Sequence, residues 1–126
     1  MANSIVTLTA RKKMLRARAG EITLPKITGF VFGNGGVDEE GNVVPPQENQ
    51  TELVSKLLEK DILDYTMLSD TQCRYKCVLG YEDLAGEKIS EIGLYDADGD
   101  IVAIKTFSAK GKDDDMEMTF YLEDSF

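Results

Sequence analysis

The sequence contains no histidine and no tryptophan, and it has only two cysteines and three prolines among 126 residues. Without histidine the chain lacks the commonest general base and the usual partner of a serine or cysteine nucleophile. Two cysteines without histidine are also too few ligands for a structural zinc site. These absences argue against an enzyme, and we expect no catalytic residue, no metal site and no cofactor.

Long apolar runs are absent as well. No stretch approaches the roughly 18 apolar residues that a membrane-spanning helix requires. The N-terminus, MANSIVTLTARKK, places its basic residues after a short apolar piece, which is unlike a secretory signal. We therefore expect one domain over residues 1–126 that is made in a cytoplasm and is not inserted into a membrane.

The two cysteines, Cys73 and Cys77, lie four residues apart in a segment that alternates like a strand. On a strand they share a face but lie about 13 Å apart, at about 3.3 Å per residue. A disulfide requires Cα atoms within about 7 Å. Both cysteines are therefore predicted to be reduced packing residues.

Negative charge dominates the chain, but it is unevenly distributed. The net charge is −9, which argues against a nucleic-acid partner. The first 30 residues are the exception, because they carry six cations against Glu21 alone; the cations are Arg11, Lys12, Lys13, Arg16, Arg18 and Lys26. This basic cluster either contacts an acidic protein surface, such as a neighbouring copy, or is a solvated helix face.

The first half of the chain predicts two short helices, one strand and a long loop. A helix is expected from Thr9 to Gly20, with Met14 and Leu15 supplying its apolar contacts. A strand should cover residues 27–32, followed by a surface loop at 33–50 that either docks a partner or simply connects two layers. Thr51 and the apolar spacing up to Leu58 predict a second amphipathic helix.

The second half alternates with a period of two and predicts strands. Strands are expected at 62–68, around Arg74 to Tyr81, at 88–95, at 100–107 and from Met116 to Glu123. The segments 88–95 and 101–107 are apolar at nearly every position, so we expect them to lie centrally with both faces covered. The predicted fold is α+β: an antiparallel sheet or sandwich of about six strands, with an N-terminal and a middle helix.

Glu91 to Ile104, EIGLYDADGDIVAI, gives the strongest local signal in the chain. Asp98-Gly99 between two apolar runs predicts a hairpin with a type I′ turn, which would bring Ile92 and Leu94 back beside Val102 and Ile104. The alternating Asp96, Asp98 and Asp100 also resemble the start of an EF-hand loop. The glycine at its sixth position and the glutamate at its twelfth are missing, which favours a plain turn over a cation site.

Three pieces of the sequence together resemble the N-terminal domain of phage tail-collar fibre proteins. They are a strand running into Gly33-Asn34-Gly35, a Thr-x-Leu segment at Thr51 and Leu53, and the hairpin string from Glu91 to Asp96 with Gly99. The resemblance implies a structural component of the virion tail, made in the cytoplasm of a bacterial host. It also implies that the domain attaches a fibre or appendage to the baseplate or collar of a contractile tail of a phage or prophage.

The resemblance further implies tail baseplate or fibre proteins as partners, and a homo-oligomer, for which a trimer would match a fibre shaft. Two surfaces are the candidate contacts: the basic helix face and the long loop. Their residues are Arg11, Lys12, Arg16, Val37, Val43 and Val44. A fibre assembly factor and a small receptor- or carbohydrate-binding β-domain are the alternatives.

Overall fold

The computed structural model describes residues 3–126, which form eight strands and one helix. In chain order the elements are β1 (Ser4–Val6), α1 (Leu8–Arg18), β2 (Ile27–Gly33), β3 (Lys56–Asp61), β4 (Asp64–Ser69), β5 (Gln72–Leu79), β6 (Lys88–Asp96), β7 (Ile101–Gly111) and β8 (Met118–Ser125). The α+β class with two antiparallel sheets is broadly confirmed. The described residues contain one helix rather than two, however, and eight strands rather than about six.

The strands form two sheets, and all of their pairings are antiparallel. The larger sheet has the order β1-β7-β6-β2-β3, and the smaller has the order β4-β5-β8. The predicted central hairpin, β6 with β7, lies in the middle of the larger sheet. Every residue of β6 from Ile89 to Leu94 is buried, so the prediction of a strand covered on both faces is confirmed for β6. In β7 it is wrong at Lys105, which is exposed because β7 lies one strand nearer the edge of the sheet.

Two apolar layers cover the larger sheet. On one face, Phe30, Phe32 and Leu94 pack against residues of the smaller sheet, among them Leu79 and Phe120. On the other face, a smaller cluster surrounds Val31 and Ile104, with Leu53 brought in from the segment before β3; its members are Val31, Leu53, Ile101 and Ile104. Alternate residues of β2 therefore serve different layers, as the pleat of a strand requires.

Helix α1 begins at Leu8 and is capped by Thr7, two residues before the predicted cap. The Thr7 hydroxyl accepts a hydrogen bond from the Ala10 N–H at 3.2 Å and donates one to the Ile101 carbonyl at 2.8 Å. The predicted C-terminal glycine, Gly20, has a φ of 84°, the left-handed conformation that glycine adopts most readily. The prediction that Leu15 packs inward is wrong, since its side chain is 68% exposed.

The predicted middle helix at Thr51 to Leu58 is wrong. Residues 51–55 are irregular, and Leu58 lies in β3, where it pairs with Phe32 of β2. An isolated helix of two to three turns is marginal in water. Pairing with an open edge of a buried strand therefore outweighs the local helical spacing.

The tip of the β6–β7 hairpin also differs from the type I′ prediction. Among the described non-glycine residues only Leu84 has a positive φ, so Asp98 does not adopt the required conformation, whereas Gly99 has a φ of 85°. The Asp96 carboxylate accepts hydrogen bonds from the N–H groups of Asp98 and Asp100, which favours a type I turn followed by a glycine bulge.

The strand register beyond this turn differs from the predicted one, in which Ile92 and Leu94 lie beside Val102 and Ile104. Leu94 lies opposite Ala103, and Gly93 lies opposite Ile104. Ile92 and Leu94 therefore do not share a layer with Ile104, which belongs to the second apolar cluster.

The alternation in β5 and β8 is confirmed. Cys77, Leu79, Phe120 and Leu122 point into the core between the sheets, although Tyr81 lies beyond β5 in a turn and is exposed. Both cysteines are free, with Cys77 buried. Burial raises the pKa of the Cys77 thiol to about 11, so little thiolate is present at neutral pH.

Candidate functional site

Within residues 3–126, Glu91 is the one acidic side chain in the middle of a buried strand, and its carboxylate accepts hydrogen bonds from two distant segments. Its Oε2 accepts hydrogen bonds from the N–H groups of Gly35 at 2.7 Å and Ser55 at 2.8 Å, and its Oε1 accepts one from Val54 at 2.9 Å. The residue is fully buried. A buried carboxylate is stable only when it is hydrogen-bonded, and these three bonds meet that requirement. We call Glu91, Gly35, Val54 and Ser55 the Glu91 network.

The glycines of the first turn make room for this network. A Cβ on Gly35 would lie 2.7 Å from the Glu91 Oε2, and a Cβ on Gly33 would meet the Ser55 carbonyl. On Gly36 the added carbon would meet the Ser90 carbonyl. The turn after β2 therefore needs small residues because other backbone and a buried carboxylate approach it closely.

The long loop at 33–50 is tied to the sheet at several points. Gly36 donates its N–H to the Ser90 hydroxyl at 2.9 Å, and the Val44 carbonyl accepts a hydrogen bond from the Thr106 hydroxyl at 2.8 Å. Near its end, Glu48 accepts a hydrogen bond at its carbonyl from the Leu8 N–H at 2.7 Å. The loop is thus an ordered surface element that runs from the Glu91 network to the start of α1.

The three candidate valines lie on this loop but are not equally available. Val37 and Val43 are half-buried and form an antiparallel bridge, which the Asp38 carboxylate supports by accepting hydrogen bonds from backbone N–H groups of the same turn. Val44 is exposed. The structure therefore presents Val44 on the outer surface and uses Val37 and Val43 to shape the loop.

The three candidate cations lie on α1, and all are exposed. Arg11 contacts the Glu48 carboxylate at 2.9 Å, so the helix and the end of the loop meet. Arg16 pairs with Glu21 at 3.0 Å. The basic helix face thus meets the end of the loop at Glu48, whereas the three valines lie earlier in the loop.

The Lys13 side chain lies among the three aspartates at the tip of the β6–β7 hairpin. Its Nζ lies 2.7 Å from Asp96, 3.1 Å from Asp98 and 2.7 Å from Asp100. Partial burial would by itself lower the pKa of Lys13, but hydrogen bonds to the three carboxylates raise it overall. An ammonium group of the same chain therefore holds the three aspartates together and joins α1 to the central hairpin.

A cleft of about 1010 Å³ lies between α1 and the outer half of the smaller sheet. Its walls include Ala10 and Met14 of the helix, and Tyr65 and Met67 of β4. The Tyr65 and Tyr75 rings lie 6.1 Å apart on adjacent strands. This cleft was not foreseen from the sequence, because its two walls are far apart along the chain.

A comparison with protein-family models matches residues 1–120 to the family described as phage tail-collar fibre protein, N-terminal. The chain belongs to the phage tail-collar fibre protein family. Searches of curated proteins and of solved structures found no match. Membership indicates a structural component of the virion tail that interacts with other tail proteins, and it favours a non-enzymatic role. Within residues 3–126 no helix is both long and apolar enough to cross a membrane.

The three sequence pieces that carry this family resemblance meet in space. Gly35 from the first piece and Glu91 from the third are hydrogen-bonded, and Leu53 from the second is buried directly before the two N–H donors Val54 and Ser55. The sequence did not reveal this role for Glu91. The available signal was an acidic residue in an otherwise apolar strand, which calls for a buried partner.

Proposed function

We propose that this tail-collar fibre domain attaches a tail fibre or related appendage to the baseplate or collar of a contractile tail, in a phage or prophage-derived particle. The match over residues 1–120 is the observation that carries the proposal. The domain acts without catalysis or a cofactor, by fitting its partners' surfaces. Several copies bind together, and this multiplicity strengthens a contact that would be weaker for one copy.

Two surfaces of the domain make the contacts that this attachment requires. The loop at 33–50 contacts a baseplate or fibre protein through a surface that includes Val44 and that the Val37–Val43 bridge shapes, and its hydrogen bonds to Ser90 and Thr106 support this role. An ordered loop loses less conformational freedom on binding than a mobile one, so more of the interaction energy appears as affinity. The basic helix face, with Arg11, Lys12 and Arg16, forms the second contact surface.

Particle composition tests this function. Purified particles from cells producing the tagged protein should retain it, and electron microscopy with labelled antibody should place it at the collar or baseplate. A fibre assembly factor would be required for fibre attachment but absent from finished particles. A receptor- or carbohydrate-binding domain would instead bind cells or glycan arrays as an isolated protein.

A loop variant sharpens the test. Replacing Val44, which is exposed, by Asp should reduce incorporation into particles without reducing stability. The matched control is Leu63→Asp, which places the same charge on another exposed apolar residue outside the loop. Equal incorporation of both variants would contradict a docking role for the loop.

A further inference from the structure

Helix α1 is poorly covered by its own domain. Of its 11 residues only Ala10 is buried. On the side facing away from Ala10, Leu8, Lys12 and Leu15 follow one another at helical spacing, and both leucines are exposed. We call these three residues the helix stripe. A helix of this length is marginally stable alone, so packing of another surface against the exposed apolar stripe would stabilise α1.

The charge around the stripe is partly uncompensated. Arg11 and Arg16 pair with acidic residues of their own copy. Within residues 3–126, Lys12 and Arg18 make no ion pair within 4.0 Å. The helix contains no acidic residue, so its outer side would attract an acidic apolar surface.

Strand β4 is the least covered strand of the domain. All six of its residues are exposed, and it pairs on one side only, with β5. Its side chains Tyr65 and Met67 are 61% and 58% exposed, and they line the cleft together with Tyr75 and Phe126. We call these four residues the cleft platform. Exposed apolar groups gathered on one edge strand are typical of a contact surface.

Acidic residues surround the platform. Asp61, Asp70 and Asp124 line the same cleft, and apart from Lys13, which is held by Asp96, Lys26 is the one cation among the described residues that line it. Burial raises the pKa of Asp124. A cation brought by a partner would lower the cost of keeping such a carboxylate ionised.

We propose that the helix stripe of one copy packs on the cleft platform of a second copy. The inference rests on the proposed function, because it names the partner of the basic helix face. The stripe offers two leucines and Lys12, with Arg18 on the same helix, and the platform offers aromatic and apolar side chains edged by aspartates. Because two different surfaces meet, the contact is head to tail rather than symmetric.

Mixing two one-sided variants tests the contact. Leu15→Gln disables the stripe and keeps a good helix former, whereas the double variant Tyr65→Gln, Met67→Gln disables the platform. Light scattering should show a concentration-dependent oligomer for the unmodified protein. Each variant alone should have a dissociation constant raised at least about 10-fold, equivalent to about 1.4 kcal/mol. An equimolar mixture should form a one-to-one complex, because one intact stripe and one intact platform remain.

Two control variants remove similar exposed groups elsewhere. Leu63→Gln matches the stripe variant and Tyr81→Gln matches the platform variant, since both side chains are more than half exposed and lie outside the two surfaces. Both should self-associate like the unmodified protein. Circular dichroism of every variant should show the same fold, so that a loss of association is not a loss of structure.

The remaining outcomes overturn the inference. A monomer at all concentrations, or an oligomer unaffected by both one-sided variants, excludes the contact. Two variants that each dissociate but fail to complement indicate a symmetric contact, such as pairing of two β4 edges. A monomer that is nevertheless incorporated into particles would leave the attachment function standing while rejecting this interface.

Discussion

The centre of the domain and its periphery are held by different means. Around Glu91, one buried carboxylate accepts hydrogen bonds from three backbone N–H groups, and the neighbouring glycines are packed too closely to carry a side chain. At the periphery, α1 buries one residue and β4 buries none. The comparison separates the part that specifies the fold from the part that is free to bind. Substitutions in the two regions should therefore differ in size and in kind.

The largest effect is expected from Glu91→Ala. Removing the carboxylate leaves three backbone N–H groups without their acceptor, and we expect a loss of about 4 kcal/mol in the free energy of unfolding. Chemical denaturation measures the loss. The control is Glu117→Ala, an exposed glutamate, which should change stability by no more than about 0.5 kcal/mol. Similar losses for the two variants would show that the Glu91 network does not hold the loop.

Gly33→Ala should have the next largest effect. The new methyl group would meet the Ser55 carbonyl and lie 2.6 Å from the Glu91 Oε2, so the loop or the strand has to move. We expect a loss of about 2 kcal/mol in the free energy of unfolding, as for other overpacked sites. Gly111→Ala is the matched control, because nothing lies within 4 Å of its added carbon. A stable Gly33→Ala protein would contradict the close approach.

Lys13→Met tests the junction between centre and periphery. Without the ammonium group, Asp96, Asp98 and Asp100 repel one another, and we expect a loss of about 1 kcal/mol. Lys88→Met, at an exposed lysine outside both contact surfaces, is the control and should leave stability unchanged. Thermal unfolding followed by circular dichroism gives both values.

The pH dependence of this difference has a definite sign. The folded protein raises the pKa of Lys13, so the ammonium contribution is fully present below the usual lysine pKa of about 10.4. It is lost only as the pH rises through the higher folded value. The difference between Lys13→Met and the unmodified protein should therefore be constant from about pH 6 to 9 and shrink in stronger alkali. A difference that vanishes near neutral pH would exclude a charged Lys13 as its cause.

The smallest effect is expected at the periphery. Leu15→Gln and Tyr65→Gln should each change the free energy of unfolding of the dilute protein by less than about 0.5 kcal/mol, because both side chains are mostly exposed. Denaturation at low concentration, where copies are separate, measures this. A loss above about 1 kcal/mol would show that these side chains pack within a single copy, and the contrast between the two regions would fail.

The sequence predicted the elements whose patterns are local and unmixed. The alternation of β8 identified Phe120 and Leu122 as core residues, and the apolar runs around Asp98-Gly99 identified a central hairpin whose first strand, β6, is covered on both faces. Helix α1 was predicted within two residues of its observed start. These features follow from side-chain periodicity and turn chemistry, which depend on near neighbours in the chain.

Other features depended on groups far apart in sequence. Leu58 has helical spacing relative to its neighbours, yet it lies in a strand because β2 offers it a pairing edge. The short strand β1 has only three residues, too few for a clear alternation, and forms because β7 has an open side. The sequence predicted that the candidate cations and valines lie on surface elements. It did not predict that the end of the loop meets α1 through Arg11 and Glu48, which are far apart in the chain.

By itself the sequence determined the family, the mainly antiparallel architecture and the basic character of the first helix, because each follows from composition or from a local sequence pattern. Only the tertiary structure decided that the three family segments converge on Glu91, that Lys13 occupies the acidic hairpin tip, and that a cleft opens beside β4. The physical reason is that hydrogen bonds, ion pairs and cavities between distant segments exist only after the chain has folded, when the cost of burying polar groups selects their partners.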